Sequence, residues 1–231
     1  MAAPTFVQEA ETVWNTTADK TTGSFSVTSG DILVAIGIRA HWYTPGITAF
    51  AISDSQTNAY TLRQNVTVAD YTEVAIWTAT AGSTGSMTVS LNDGAETAQS
   101  YGLNVFTISD SDGVGASSKT NVASGAPTLN ITTTQANSII VVANSDWNAA
   151  DGASRTWRAN AGALTEQSYF RDASLYAVYV GYHADAGAIG TYAVGLSAPT
   201  GQKYSIAAIE IKGTAAASNT RRYTLTTLGV G

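Results

Sequence analysis

The chain lacks cysteine altogether and carries little charge. With no cysteine among 231 residues, disulfides, thiolate catalysis and cysteine-based metal sites are excluded. Charged residues make up only 12% of the chain, about half of the usual share in a globular protein. A surface this poor in charge is typical of a protein that lies against other subunits, because a solvated monomer normally keeps more charge to stay dispersed.

Long apolar runs and an excess of basic residues are also missing. The longest strongly apolar run covers residues 32–38, whereas a membrane-spanning helix needs roughly 20 apolar residues. The segment MAAPTFVQEAETVWNTTADK at the start contains acids and no apolar core of a signal peptide. The net charge of −6 repels phosphate groups. We therefore expect synthesis in the cytoplasm, with no binding to nucleic acid or to a membrane.

An internal repeat is the strongest pattern that is present. Four segments of the first half recur in the same order in the second half: SFSVTSGDILVAIGI at 24–38 as TLNITTTQANSIIVV at 128–142, VAIW at 74–77 as YAVY at 176–179, TGSMTVSLN at 84–92 as IGTYAVGLS at 189–197, and YGLNVFTI at 101–108 as YSIAAIEI at 204–211. Recurrence at a nearly fixed spacing indicates a duplicated structural unit.

Each repeat has the pattern of β-strands. Met87, Val89 and Leu91 alternate with polar residues, as in a half-buried strand. Residues 32–38 are apolar at both parities, which suits a strand in the centre of a sandwich. Glycine-rich and aspartate-rich turns separate these runs, and no segment has a convincing helical period. The sequence predicts an all-β, antiparallel β-sandwich or jelly roll with an internal duplication.

The repeat also suggests where the domain begins and ends. We expect an N-terminal arm at 1–22, a duplicated sandwich at 23–213 with copies at about 24–110 and 128–213, and a C-terminal arm at 214–231. Each copy could form its own sandwich, or the copies could interleave in one pseudo-symmetric jelly roll, which we favour. The polar junction at 114–127 is predicted to be a linker or a surface loop.

Three segments resemble a known group of modules. GDILVAI at 30–36, SDSQTNAYTL at 53–62 and AIWTATA at 75–81 resemble the β-sandwich modules of phage and prophage structural proteins, although Thr57 stands where the usual pattern has glycine. The resemblance continues to about residue 213 and leaves both ends uncovered. It implies a jelly-roll or concanavalin-like fold in a virion protein that is assembled in the host cytoplasm, and it implies no reaction.

Two groups of residues are candidate ligand sites. Asp110 and Asp112 flank Ser111 and precede Gly113, a spacing that suits Ca²⁺ but equally suits a turn, and we expect no metal or other cofactor. Trp42, Tyr43 and Trp147 follow central strands of the two copies and could stack on a sugar ring, or pack in the core or an interface. His41 and His183 are the only histidines, and no nucleophile elbow accompanies them.

The C-terminal segment is the predicted contact with neighbouring subunits. Its paired arginines could steer it onto an acidic surface, and its alternating apolar residues read as a strand. The interface candidates are Arg221, Arg222, Tyr223, Leu225 and Leu228. We expect a non-enzymatic virion subunit, a capsid decoration or tail-associated protein, that self-associates and binds other virion proteins. The alternative is a carbohydrate-binding module for host attachment.

Overall fold

Strands account for nearly all regular structure in the chain. The structure is a computed structural model that describes residues 2–12, 14, 20–40, 50–68, 72–92, 100–147, 152–172 and 176–214. These ranges contain 18 strands and a single turn of 3₁₀ helix at Gly152–Ser154. All strand pairings between neighbours in the sheets are antiparallel. The predicted all-β, antiparallel sandwich is confirmed.

The first copy contains ten strand segments. In chain order they are β1 (Thr5–Glu11), β2 (Lys20–Thr21), β3 (Phe25–Val27), β4 (Ile32–Ala40), β5 (Ala51–Asp54), β6 (Thr61–Val68), β7 (Thr72–Thr80), β8 (Gly85–Met87), β9 (Val89–Asn92) and β10 (Ser100–Ser109). Five of them form a sheet in the order β1-β10-β4-β7-β6. The others form two small sheets, β2-β9-β5 and β3-β8, that together cover one face of the large sheet.

The second copy repeats this arrangement with eight strands. They are β11 (Val114–Gly125), β12 (Thr128–Thr132), β13 (Ile139–Trp147), β14 (Thr156–Trp157), β15 (Leu164–Arg171), β16 (Tyr176–His183), β17 (Thr191–Ala198) and β18 (Gln202–Ile211). The large sheet has the order β11-β18-β13-β16-β15, and the small one has the order β12-β17-β14. In both copies the first strand lies beside the last, as in a jelly roll.

Each sheet draws its strands from one copy only. The arrangement that we favoured from the sequence, one sandwich with interleaved strands, is therefore wrong, and the structure contains two complete sandwiches. The copies even share their irregularities. An extra residue interrupts the pairing of β6 between Leu62 and Gln64, and another interrupts β15 between Glu166 and Ser168. Bulges of this kind are preserved local features, and their common position supports the duplication independently of sequence.

The two large sheets pack face to face. One cluster of buried side chains joins them, including Ile36 and Phe106 of the first copy and Val141 and Val178 of the second. A second cluster fills the interior of the first sandwich, and two further clusters fill the second. The molecule is a stack of four layers, small sheet, large sheet, large sheet, small sheet. All nine residues of β4 are buried for this reason, which explains its apolar character at both parities.

Where the two large sheets pack, the strands on either side of the central one face strands of the other copy that are not their own equivalents. Between β10 and β16, the hydroxyls of Ser100 and Tyr176 are 2.7 Å apart. Between β7 and β18, the hydroxyl of Thr72 donates to that of Ser205 over 3.3 Å. Since β10 corresponds to β18 and β7 to β16, the copies are related as by a two-fold axis. It follows that β1 lies over β15 along one side of the stack, and β6 lies over β11 along the other.

Two expected boundaries differ from the observed ones. Residues 5–11, expected in an N-terminal arm, form β1 and pair with β10, with a register shift at Val7. The junction at 114–127, expected as linker or loop, contains β11, which pairs with β18. Both strands are edge strands with one covered face, so their sequences are too polar to stand out. The C-terminal arm lies outside the described residues from 215 onward.

The two ends of the described fold meet. Ala2 and Thr214 form an antiparallel bridge in which the Thr214 amide donates to the Ala2 carbonyl over 3.1 Å. Close beside it, the turn between β10 and β11 is held by Lys212, whose amide donates to the carbonyl of Gly113 over 2.8 Å. The turn between the two copies and the two ends of the described fold, Ala2 and Thr214, therefore lie at the same end of the stack.

Candidate functional site

Of the residues predicted to stack on a sugar or to form an interface, only Trp147 lies in the described part of the chain. Trp147, a candidate for sugar stacking, lies in the cluster between the two large sheets and is only 6% exposed, so its indole offers no open face to a sugar. Trp42, Tyr43 and all five interface candidates, Arg221, Arg222, Tyr223, Leu225 and Leu228, lie outside the described residues. Their predicted roles stay predictions.

The segment from Asp110 to Gly113 forms the turn between the two copies. The hydroxyl of Ser109 donates to the Asp110 carboxylate over 3.2 Å, and Gln135 Nε2 donates to Asp112 Oδ2 over 3.1 Å. Asp110 itself has a positive φ of 55°, which aspartate tolerates in turns. Within the described ranges no three residues of the type Asp, Glu or His come together as a possible metal site. The structure places Asp110 and Asp112 in this turn, and the absence of a calcium ion stays a prediction.

His183 lies buried in the second sandwich. Its ring nitrogen Nδ1 lies 2.9 Å from the carbonyl oxygen of Gly162. Burial lowers the pKa of the imidazole below its usual value, although the nearby carbonyl groups of Gly162 and Ala163 oppose this. A neutral, enclosed imidazole cannot reach a substrate. His41 lies outside the part of the chain that the structure describes.

A buried ion pair lies inside the first sandwich. Arg39 on β4 faces Glu73 on β7, and the guanidinium nitrogen is 2.6 Å from the carboxylate oxygen with both side chains almost completely enclosed. The Arg39 guanidinium also lies over the ring of Phe50, 4.4 Å from its centroid. This geometry compensates two charges in a region of low dielectric. It holds neighbouring strands together and leaves neither charge available to a ligand.

The second sandwich has a different polar group at its corresponding end. The hydroxyl of Tyr179 on β16 donates to Asp146 Oδ2 over 2.9 Å, and Asp146 is fully buried. Burial raises the pKa of this carboxyl to about 7, although the hydrogen bond from Tyr179 opposes the shift. Asn144 points to the same interior, and neither its side-chain atoms nor Asp146 Oδ1 has a hydrogen-bond partner among the described residues. This polar interior is enclosed, so it offers no route to a substrate.

A charged and aromatic group closes the open side of the second sandwich. The Arg155 guanidinium pairs with the Glu166 carboxylate and lies over the ring of Tyr169, 3.7 Å from its centroid. Trp157 Nε1 donates to Glu166 over 2.7 Å, and the Trp157 ring meets Tyr179 edge to face. These residues join β15 to the segment around β14. They contact one another rather than presenting free faces or free donors.

Glu210 is a buried carboxylate on β18 that holds β11 and the turn between β12 and β13. It accepts hydrogen bonds of 2.8–3.0 Å from the amides of Ala116, Thr134 and Gln135 and from the hydroxyls of Thr134 and Ser138. Burial alone would raise its pKa, but these donors outweigh burial and lower it below the usual value. Five donors satisfy the ionised carboxylate, so Glu210 has a structural role.

The first seam between the sandwiches runs along β1 and β15. There Trp14 Nε1 donates to the Glu11 carboxylate and lies 3.2 Å from Ser168 Oγ, which in turn donates to Glu11 over 2.8 Å. An open groove of about 410 Å³ follows this seam, lined by Glu11, Thr12, Trp14 and Phe170. The lining of the first seam is acidic and aromatic.

The second seam runs along β6 and β11 on the opposite side of the stack. Lys119 Nζ donates to the carbonyl oxygen of Asn65, and Asn121 Nδ2 donates to that of Thr67, each over 2.6 Å. An open groove of about 340 Å³ follows this seam, lined by Asn65, Val66, Thr67, Lys119, Thr120 and Asn121. The lining of the second seam is basic and polar.

The seams were not among the residues that sequence reasoning selected. They combine residues that are distant in the chain, such as Glu11 with Ser168, and no motif links them. The sequence offered one indication of the seams, the acidic or basic residues on these segments. That indication can be interpreted only once the segments are known to be edge strands.

Within the described ranges no helix is long and apolar enough to cross a membrane.

Comparison of the chain with models of protein families, with curated proteins and with solved structures finds no match in any of the three.

Proposed function

We propose that the chain is a non-enzymatic structural subunit of a virus particle, a capsid-decoration or tail-associated protein that assembles with copies of itself and with other virion proteins. The observation that carries the proposal is a weakly charged exterior on a doubled, four-layer sandwich. Only 12% of the residues are charged. Several of the charged side chains, among them Arg39, Glu73 and Glu210, are buried in the fold and add no charge to the surface. What remains on the surface suits contact with other proteins.

The buried polar groups also support a structural role. Asp146 and Glu210 are fully enclosed, and Glu73 nearly so, and each is hydrogen-bonded to a neighbouring strand or turn. General acid–base chemistry needs such a group within reach of a substrate. In the described part of the molecule the buried acids connect strands instead. The virion setting rests on the resemblance of residues 30–36, 53–62 and 75–81 to phage structural modules.

The proposal predicts where the chain is found. Virus particles produced by the genome that encodes it should contain the chain in a fixed number of copies per particle, as measured by quantitative mass spectrometry of purified particles. A chain that is absent from purified particles and abundant in the soluble fraction of the same lysate would contradict the proposal.

A deletion tests the assembly function separately from folding. Removing residues 215–231 should reduce incorporation into particles, because this segment carries the predicted contact residues and no residue of the 18 described strands. Circular dichroism and thermal unfolding of the truncated chain should match those of the full chain. If the truncated chain folds and is incorporated normally, the C-terminal arm is not needed for assembly.

Glycan attachment, the alternative function, loses Trp147 as a stacking residue because that side chain is buried between the sheets. It would rest on Trp42 and Tyr43 alone, and no described contact favours it.

A further inference from the structure

We propose that copies of this chain associate side by side, with the side formed by β1 and β15 on one copy contacting the side formed by β6 and β11 on the next. The inference rests on the proposed self-association and names the surfaces that carry it. The two sides are called the acidic side (β1 and β15) and the basic side (β6 and β11) below.

The two sides lie at opposite edges of the molecule. The large sheets have the orders β1-β10-β4-β7-β6 and β15-β16-β13-β18-β11, so β1 and β15 are at one edge and β6 and β11 at the other. The contact of Phe6 on β1 with Tyr182 on β16, with stacked rings 4.4 Å apart, fixes this alignment on one side. The hydrogen bonds from Lys119 and Asn121 to β6 fix it on the other. A contact between unlike sides can therefore repeat from copy to copy.

The charges on the two sides are complementary. On the acidic side β1 carries Glu9 and Glu11, and β15 carries Glu166 and Arg171, while Arg155 pairs with Glu166; three acids and two bases give a net charge of −1. On the basic side β6 carries Arg63, β11 carries Lys119, and neither strand has an acid, a net charge of +2. A basic edge on a chain of net charge −6 is a local exception. Complementary potentials of this kind steer and orient protein association.

Exposed apolar side chains concentrate on the same two sides. Four large apolar residues of the described chain are exposed, and three of them lie on edge strands. Val7 on β1 is 49% exposed on the acidic side, while Leu62 on β6 and Val122 on β11 are 49% and 37% exposed on the basic side. The fourth, Ile189, lies in the turn before β17 and on none of these four edge strands. Apolar residues within charged edges are typical of contact surfaces.

Charge decides between a contact of unlike sides and a contact of like sides. Two acidic sides facing each other would bring together charges of −1 and −1, and two basic sides would bring together +2 and +2. Contact of unlike sides places −1 against +2. Such a head-to-tail contact closes into a ring or continues as a filament. Lys119 and Asn121 already donate to carbonyl groups of β6, so we expect side chains to make the contact at that strand.

The test uses one variant on each side and a control away from both. Val7→Lys places a positive charge on the acidic side, where it would face the partner's basic side, and Val122→Glu places a negative charge on the basic side. Ile189→Lys and Ile189→Glu make the same changes in the turn before β17. Sedimentation velocity over a range of concentrations, at low salt and then at high salt, reports association, and thermal unfolding checks that each variant folds.

We expect each edge variant to weaken self-association by about tenfold or more, while both Ile189 variants associate like the unchanged chain. High salt should weaken association of the unchanged chain. An equimolar mixture of Val7→Lys and Val122→Glu chains should recover complexes, because each variant keeps one unaltered side.

The remaining outcomes overturn the inference. If the unchanged chain associates and either edge variant associates equally well, or if the mixture stays monomeric, the contact lies elsewhere and the proposed function stands. If the unchanged chain is monomeric at every concentration, self-association fails and the inference fails with it.

Discussion

Arg39 and Glu73 place two opposite charges in the interior of the first sandwich as an ion pair. Each guanidinium or carboxylate that enters the interior loses its hydration, and the close contact between them offsets that loss only while both are present. The pair connects β4 to β7 at directly opposed positions. Removing one partner leaves a charge enclosed among apolar residues such as Phe50.

Breaking this ion pair should be far more costly than replacing it. Arg39→Met or Glu73→Leu alone should lower the free energy of unfolding by roughly 3–5 kcal/mol, whereas the two changes together should be close to neutral. Denaturation with guanidinium chloride measures both. Additive losses in the double variant would show that packing rather than charge pairing dominates at this position.

Asp146 and Glu210 are buried acids whose pKa values are shifted in opposite directions. Because the fold raises the pKa of Asp146 to about 7, the folded state favours its protonated form, and its contribution to stability is lost as the pH rises through about 7. The fold lowers the pKa of Glu210, so its contribution is present at neutral pH and is lost as the pH falls below the usual range for a glutamate.

The two acids can therefore be separated by pH. Between about pH 5 and about pH 8, Asp146→Asn should lose less stability with rising pH than the unchanged chain does. Glu210→Gln should be most destabilising, relative to the unchanged chain, at neutral pH, and less so in acid. Chemical denaturation at a series of pH values measures both trends. Parallel profiles for Asp146→Asn and the unchanged chain would contradict the assignment.

At the scale of strands, the contact between the large sheets depends on close approach at one glycine. The Trp14 ring lies flat against Gly102 on β10, where a Cβ atom would come within 2.6 Å of the ring carbon Cζ3. The corresponding position of the second copy, on β18, is Ser205, whose hydroxyl bonds to Thr72 instead. At this equivalent position the first copy packs the Trp14 indole against a glycine. The second copy has a serine that forms a hydrogen bond to Thr72.

Gly102→Ala should displace Trp14 and lower the free energy of unfolding by about 1–3 kcal/mol, the usual range for overpacking. Gly23→Ala is the matched control, because a Cβ atom there meets nothing within 4 Å. Thermal unfolding gives the stability change, and tryptophan fluorescence reports the altered environment of the indole. Equal stability for the two variants would contradict the packing described here.

Strand pattern predicted the apolar faces but not the partners of the strands. The repeat matched VAIW with YAVY and so placed Trp77 with Tyr179. In the structure Trp77 pairs with Leu62 just before a bulge, and the residue in that position of the second copy is Gly181, which pairs with Glu166. The match was wrong by two residues. A shift of two leaves every side chain on the same face of the sheet, so alternation alone cannot detect it.

Edge strands escaped detection for a related reason. The segment TFVQEAE of β1 and the segment VGASSKTNVASG of β11 hold equivalent places, yet they share no recognisable sequence. A central strand such as β4 is covered on both faces and must be apolar, whereas an edge strand is constrained only where it meets its neighbour. The duplicated core could therefore be predicted, while the first strand of each copy and the seams that it forms could not.

At the scale of the whole molecule, duplication doubles the thickness of the fold without doubling its exposed sheet surface. A single copy would leave one face of its large sheet open to water, and that face is lined by residues such as Ile36 or Val141. The second copy covers it. Since each copy needs the other in this way, we expect the two sandwiches to unfold together rather than one after the other.

The bridge between Ala2 and Thr214 brings the two ends of the described fold together. Joining those two residues through a short peptide and cutting the turn at 110–113 would exchange the order of the halves while every strand kept its present neighbours. We expect the permuted chain to fold into the same four layers.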